Sequence, residues 1–89
     1  MMKNEEPTVN RVEINSYSDR ELFDYRHGGA FDRGSADSYY GRNINPHYYV
    51  GGTYDSDMIE KSQMTIKEIE DYLAGYEWNE KFGDKKEWV

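Results

Sequence analysis

The chain has no cysteine and only two leucines, Leu22 and Leu73. Without cysteine it can form neither a disulfide nor a thiolate metal site, which suits a reducing cytosol. With so little leucine, aliphatic side chains cannot fill a core alone. No apolar run approaches the roughly 20 residues that a membrane-spanning helix needs. The opening stretch from Met1 to Pro7 also lacks the apolar run of a secretory leader. A soluble, cytoplasmic protein is expected, with no membrane partner.

Aromatic rings make up the deficit. Nine Tyr, three Phe and two Trp occur among 89 residues, and each ring can bury about 150–250 Å². A chain of this length buries only about 60–65% of its unfolded surface, so the expected core is thin and aromatic. The net charge is −7. All five arginines lie at or before Arg42, and the acid excess is concentrated after that point. Nucleic-acid affinity rests on neutralising phosphates, so direct nucleic-acid binding is not expected. An acidic surface serves solubility, or a protein partner with a basic surface.

Along the chain, residues 1–10 read as a flexible tail and residues 11–89 as a single small domain. Val12 and Ile14 alternate with polar neighbours, which permits a short extended segment. Ser18-Asp19-Arg20-Glu21 has the form of a capping box. It predicts a short first helix with Leu22, Phe23 and Tyr25 on its apolar side. Gly28-Gly29 then interrupts, and a second helix is expected from about 30 to 41, ending near Gly41, which suits a left-handed C-terminal position. The connector 43–64 holds Pro46 and many Tyr and Gly residues; either a small β-hairpin around Gly51-Gly52 or a packed loop fits it. Thr65-Ile66-Lys67-Glu68 is a second capping box, followed by Ile66, Ile69, Leu73 and Tyr76 at helical steps. That predicts a helix over 66–82 closed by Gly83, with Trp88 folding back onto the core. The fold class is mainly α.

Both longer helices contain glycine. In an exposed helix interior glycine costs about 1 kcal/mol relative to alanine, so a compensating reason is required. Close helix–helix approach supplies one, with Gly34, Gly41 and Gly75 at the contact and Tyr72 and Tyr76 filling the space beside it. Tyr39 is assigned to the core with Tyr72 and Tyr76.

Arg33-Gly34, six residues, then Gly41-Arg42 on one helix, with Tyr72-x-x-Gly75-Tyr76 on a second, form a recognisable arrangement. With a Pro46-containing connector between them, it resembles the ribosome modulation factor family over about residues 31–78. The sequence is also similar to small proteins of tailed bacteriophages. These combine the segment Arg33 to Arg42, Asn45 to Tyr48, Ala74 to Tyr76, and Gly83 to Trp88. The first resemblance implies a close pair of glycine-bearing helices and a ribosome- or RNA-associated role. The second implies no activity. Ribosome modulation factor is strongly basic and this chain is acidic, so the scaffold carries over more readily than the RNA contact.

Little here supports catalysis. His27 and His47, with Asp32 and Asp37 between them, match no known metal-ligand spacing, so no metal is expected. The serines fall at caps and turns, where hydroxyls bond the backbone. No nucleophile elbow or phosphate-binding glycine loop occurs. No enzyme and no cofactor are expected. Arg33 and Arg42 either pair with acids such as Asp37 and Glu68 or offer planar forks to a partner. Tyr48, Tyr49 and Tyr54, on the connector, are read as an exposed aromatic binding patch.

The functional expectation is a small acidic phage-type accessory protein that binds a host or viral protein stoichiometrically. In it the connector tyrosines anchor while the acidic helix 66–82 meets a basic groove. A ribosome- or RNA-associated factor and a virion or oligomeric component are the alternatives. Oligomeric state and partner identity are not fixed by these residues.

Overall fold

The computed structural model describes residues 13–87. A 3-10 segment, Tyr17–Leu22, is followed by helix α1, Ala30–Tyr39. Strands β1, His47–Tyr49, and β2, Met58–Glu60, come next; a 3-10 turn, Lys61–Gln63, then leads into helix α2, Ile66–Phe82. The two strands form an antiparallel pair with Tyr48 opposite Ile59. The expectations for the tail 1–10, for Val12 and for Trp88 fall outside the described residues.

Helix α2 begins where its capping box places it. Thr65 Oγ1 accepts from the Glu68 amide at 3.1 Å, and Glu68 Oε1 accepts from the Thr65 amide at 2.9 Å. Its inward face is Ile69, Tyr72, Ala74, Gly75, Trp78 and Asn79. Ile66 is exposed and Leu73 half-buried, so the apolar spacing indicates the helix correctly but not which way it faces. The face is set by Gly75, where the backbone of α1 comes into contact.

Helix α1 lies against that stripe. A Cβ built on Gly34 would collide with the Tyr72 carbonyl oxygen and come within 2.8 Å of the Tyr76 amide nitrogen. One built on Gly75 would collide with the Phe31 carbonyl oxygen and lie 2.9 Å from Phe31 Cα. Backbone therefore touches backbone, in both directions. One step on, the seam turns polar. Ser38, fully buried, accepts from Asn79 Nδ2 at 3.0 Å and donates to Glu80 Oε2 at 2.7 Å.

Gly41 ends the helix as its left-handed residue and takes no part in the helix contact also assigned to it. It is exposed, with φ of 71°, and sits at the end of α1 and not in the helix contact. The Arg42 amide bonds back to the Asp37 carbonyl at 2.8 Å and the Gly41 amide to that of Ser38 at 3.0 Å. This paired closure requires a left-handed residue after the helix, which glycine adopts without steric cost.

The first helix also differs from expectation. It is a 3-10 segment starting after Ser16, because the Asp19 carboxylate captures the Asn15 and Ser16 amides at 2.8 and 3.1 Å. That shifts the start two residues upstream of the Ser18 box. Leu22 is 72% exposed and Tyr25 half-exposed, and only Phe23 turns inward to stack on Phe31 at 5.2 Å. Ile14, Phe23, Phe31, Ala74 and Trp78 form the apolar cluster. The segment is clamped to α2 by Trp78 Nε1 donating to the Tyr17 carbonyl at 2.8 Å. The Arg20 guanidinium adds to this by stacking on Tyr17, Tyr25 and Trp78 at 4.7–5.5 Å. No helix among the described residues is long and apolar enough to cross a membrane.

Gly75→Ala tests the helix contact by its sign. In a free helix the change stabilises by up to about 1 kcal/mol. Here the new methyl group meets backbone that cannot rotate away, and a loss of about 1–3 kcal/mol is expected. Calorimetry or thermal circular dichroism should show a lower Tm, and Gly75→Leu should abolish cooperative folding. A Gly75→Ala protein more stable than the parent would mean that the helices do not touch there.

Candidate functional site

Helix α1, the residues just after it, strand β1 and helix α2 converge on a polar cluster roofed by the hairpin. Asp37 lies three residues after Gly34, on the same packed face of α1, and is buried. The Tyr72 hydroxyl donates to its Oδ2, and Arg42 Nη1 donates to its Oδ1 at 3.3 Å. The same hydroxyl accepts from the Asn45 amide at 3.0 Å. A buried carboxylate is costly unless paired and hydrogen-bonded, and both conditions hold at Asp37.

His47 is also buried. Arg33 Nε can only donate, and it lies 3.4 Å from His47 Nε2, so that nitrogen accepts. Nδ1 then carries the proton and donates to the Asn45 carbonyl at 2.7 Å. The ring is fixed as the neutral Nδ1–H tautomer with both nitrogens committed. Arg33 itself is only 6% exposed. Its guanidinium lies 5.8 Å from the Tyr49 ring centre and 5.7 Å from that of Tyr54, a cation–π arrangement in a largely dry setting. His27, in contrast, is exposed, with Nδ1 3.9 Å from Asp32.

Arg33, Arg42, Tyr49 and Tyr54 are thus brought together, and Tyr48 is not. Tyr48 points to the opposite face of the strand, where burial and then a hydrogen bond to Glu68 push its hydroxyl pKa up. Tyr49 is buried, at 7% exposure. The expected patch of three exposed tyrosines therefore reduces to one: Tyr54, 72% exposed. Strand alternation explains the difference, because neighbouring residues on a strand face opposite ways. The arginines also differ from expectation. Arg42, with its side chain 47% exposed, does pair with Asp37, whereas Arg33 pairs with a histidine and two rings. Arg42 packs over Tyr40 at 4.6 Å and its carbonyl accepts from the Tyr76 hydroxyl. Tyr39, assigned to the core, is only half-buried.

The hairpin is longer than the one expected around Gly51-Gly52. Its second strand is Met58–Glu60 and not Thr53-Tyr54, and residues 50–57 form an ordered loop. Gly51 N donates to Ser56 Oγ at 2.8 Å, Ser56 Oγ to the Gly52 carbonyl at 2.9 Å, and Asp55 N to the same carbonyl at 3.1 Å. From outside, Arg26 Nη2 donates to the Tyr49 carbonyl at 2.7 Å. Gly28, at φ of 89°, passes so close to Gly51 that a side chain would collide with the Gly51 carbonyl. Its own carbonyl accepts from the Tyr49 amide at 2.8 Å. Tyr54 is held at φ of 66°, a conformation that is a genuine outlier for a bulky residue. Val50 and Met58, 55% and 45% exposed, flank it in the hairpin. A cleft of about 600 Å³ runs beneath β2, between Pro46, His47, Met58, Glu60, Lys61 and Ile69.

The acids of α2 are mostly spoken for. Asp71 pairs with Lys67 at 2.6 Å, Glu77 with Lys81 at 3.0 Å, Glu80 with Lys85, and Glu68 caps Thr65. Asp55, Asp57 and Glu60 are the acids of the segment 50–61, which carries one basic residue, Lys61. No group of three or more potential ligands among the described residues is arranged to hold a metal ion.

The buried Asp37–Tyr72 pair has a consequence at high pH. Burial first, then the hydrogen bond to Asp37, raises the Tyr72 pKa far above its ordinary value near 10. An acid whose folded pKa is raised stabilises the fold below its unfolded pKa and ceases to do so as pH climbs beyond it. Absorbance titration should therefore show one tyrosine that ionises only with alkaline unfolding. Tyr72→Phe should remove that late ionisation and cost about 1–3 kcal/mol near neutral pH, because Asp37 loses a buried donor. An unchanged Tm in Tyr72→Phe would contradict this account.

No family model matches the sequence, and no curated protein or solved structure gives a significant match.

Proposed function

We propose that this chain is a small, mainly helical protein-binding module of the phage-accessory type, acting stoichiometrically in the host cytoplasm. Its docking element is the hairpin 47–60. The observation that carries this reading is Tyr54, a large ring left mostly in solvent on a backbone conformation that costs energy. Strained, over-determined residues cluster at functional sites, and tyrosine is among the residues that dominate binding energy. The loop around it is already cross-braced, so little conformational entropy remains to be lost on docking.

Charge supports a particular kind of partner. Asp55, Asp57 and Glu60 share the segment 50–60 with the exposed Val50, Tyr54 and Met58, which fits an apolar pocket edged by basic residues. Asp71, Glu77 and Glu80 of α2 pair with lysines and offer less. RNA association is the weaker reading. Arg33 is buried and Arg42 is committed in part to Asp37, so the arginines of the ribosome modulation factor-like motif have little charge left for phosphate.

Pull-down from bacterial lysate with the wild-type protein and Tyr54→Gly tests the proposal. Glycine relieves about 1–2 kcal/mol of left-handed strain and forfeits ring contacts of about 0.5–1.5 kcal/mol. The Tm should therefore stay close to that of the parent, while captured partner falls by a factor of about 30, as expected for a hot-spot residue. Glu77→Gln on α2 should leave capture unchanged. Undiminished yield with Tyr54→Gly would overturn the assignment.

A further inference from the structure

We infer that His47 is a proton-operated latch that holds the hairpin 47–60 onto α1 and opens when its Nε2 is protonated. Nε2 is the atom that accepts from Arg33. Once it carries a proton it can no longer accept, and two donors of like charge then face each other at hydrogen-bond distance. The proton cannot be placed elsewhere, because Nδ1 already carries one and donates it to Asn45.

The surroundings offer that proton no new hydrogen bond. From α1, His47 faces Arg33 and Asp37; from the segment after α1, Arg42, through its bond to Asp37. Glu60 lies directly opposite on β2, and Lys61 shares the cleft beneath the ring. Tyr49 and Tyr72 pack their rings on it at 5.9 and 5.8 Å. Three cations therefore stand against two carboxylates before any proton arrives. Asp37 sits 3.9 Å from Nδ1, on the side away from Nε2, with Tyr72 and Arg42 already bonded to it. A proton on Nε2 thus gains no new hydrogen bond from it.

Relief comes from moving β1. His47 and Tyr49 are the residues through which the strand grips Arg33, and the Tyr49 amide is its bond to the Gly28 carbonyl. The α1–α2 seam uses neither, so the hairpin can swing while the helix pair stays closed. In the open state the imidazolium reaches water and Arg33 loses both tyrosine faces. Because Tyr54 stands on the same loop, opening would also withdraw the docking ring. That coupling rests on the proposed function, whereas the opening itself does not.

Hydrogen exchange followed by NMR from about pH 7 to about pH 5, the range in which histidine changes charge, reads the opening without any partner. Protection of the Tyr49 amide should fall as the pH is lowered, by up to about tenfold per pH unit where opening takes up one proton. Protection of the Ile69 amide in α2 should not follow it. In His47→Gln the Tyr49 amide should lose this dependence. A Tyr49 amide indifferent to pH, or one that behaves identically in His47→Gln, overturns the latch. If His47→Gln does not fold, the ring nitrogen shifts of the wild-type protein decide. A neutral ring protonated on Nδ1, titrating together with the hairpin amides, supports the latch. A ring protonated on Nε2, or hairpin amides with a different midpoint, excludes it.

Discussion

Gly34 and Gly75 allow two helix backbones to approach until peptide groups touch, and the placement of every other buried group follows from that contact. With no side chains between them, α1 and α2 bring Phe31 against Trp78 on one side of the seam. On the other side they bring Asp37 against Tyr72. The first side became an aromatic core because the chain has few aliphatic residues to use. The second became polar, and its charges are tolerated because each is bonded to a fixed neighbour. A larger residue at either glycine would separate both sides at once, which is why a helix-weakening residue is the better choice here.

Much of this was readable from the residues. Two glycines at matching positions of two helices implied close approach, and Thr65 with Glu68 marked the start of α2. The left-handed stop at Gly41 was legible as well, although the same glycine was also assigned to the helix contact. Orientation was not legible. Ile66 and Leu73 have the spacing of a buried stripe yet lie toward solvent, because the choice among faces is made by backbone proximity at Gly75 and leaves no mark in hydropathy. Nor could local sequence reveal which of Tyr48 and Tyr49 would face the polar cluster. That depends on the pairing of β1 with a strand separated from it by eight residues. The burial of His47 had no local signal at all. Asp37 had one: its place three residues after Gly34 puts it on the packed face.

Charge is organised more finely than the net value suggests. Asp71, Glu77 and Glu80 of the acidic helix pair with lysines at helical spacing or beyond its end, while Arg20, Arg33 and Arg42 engage rings, a histidine and a carboxylate. Asp55 and Asp57 lie in the loop that also exposes Val50 and Tyr54, with Met58 and Glu60 on the strand that follows. A chain can therefore be acidic throughout and still present one distinct acidic and apolar element.

The Tyr72 hydroxyl bonds both the Asp37 carboxylate on α1 and the Asn45 amide at the start of the connector, so one oxygen joins three parts of the chain. Those parts are 35 and 27 residues away in sequence. Bringing such distant segments together costs loop-closure entropy before any contact rewards it. The seam sets where Tyr72 stands, and the oxygen in turn holds Asn45. One atom thus ties the connector to the helix pair, and displacing either helix would release the connector as well.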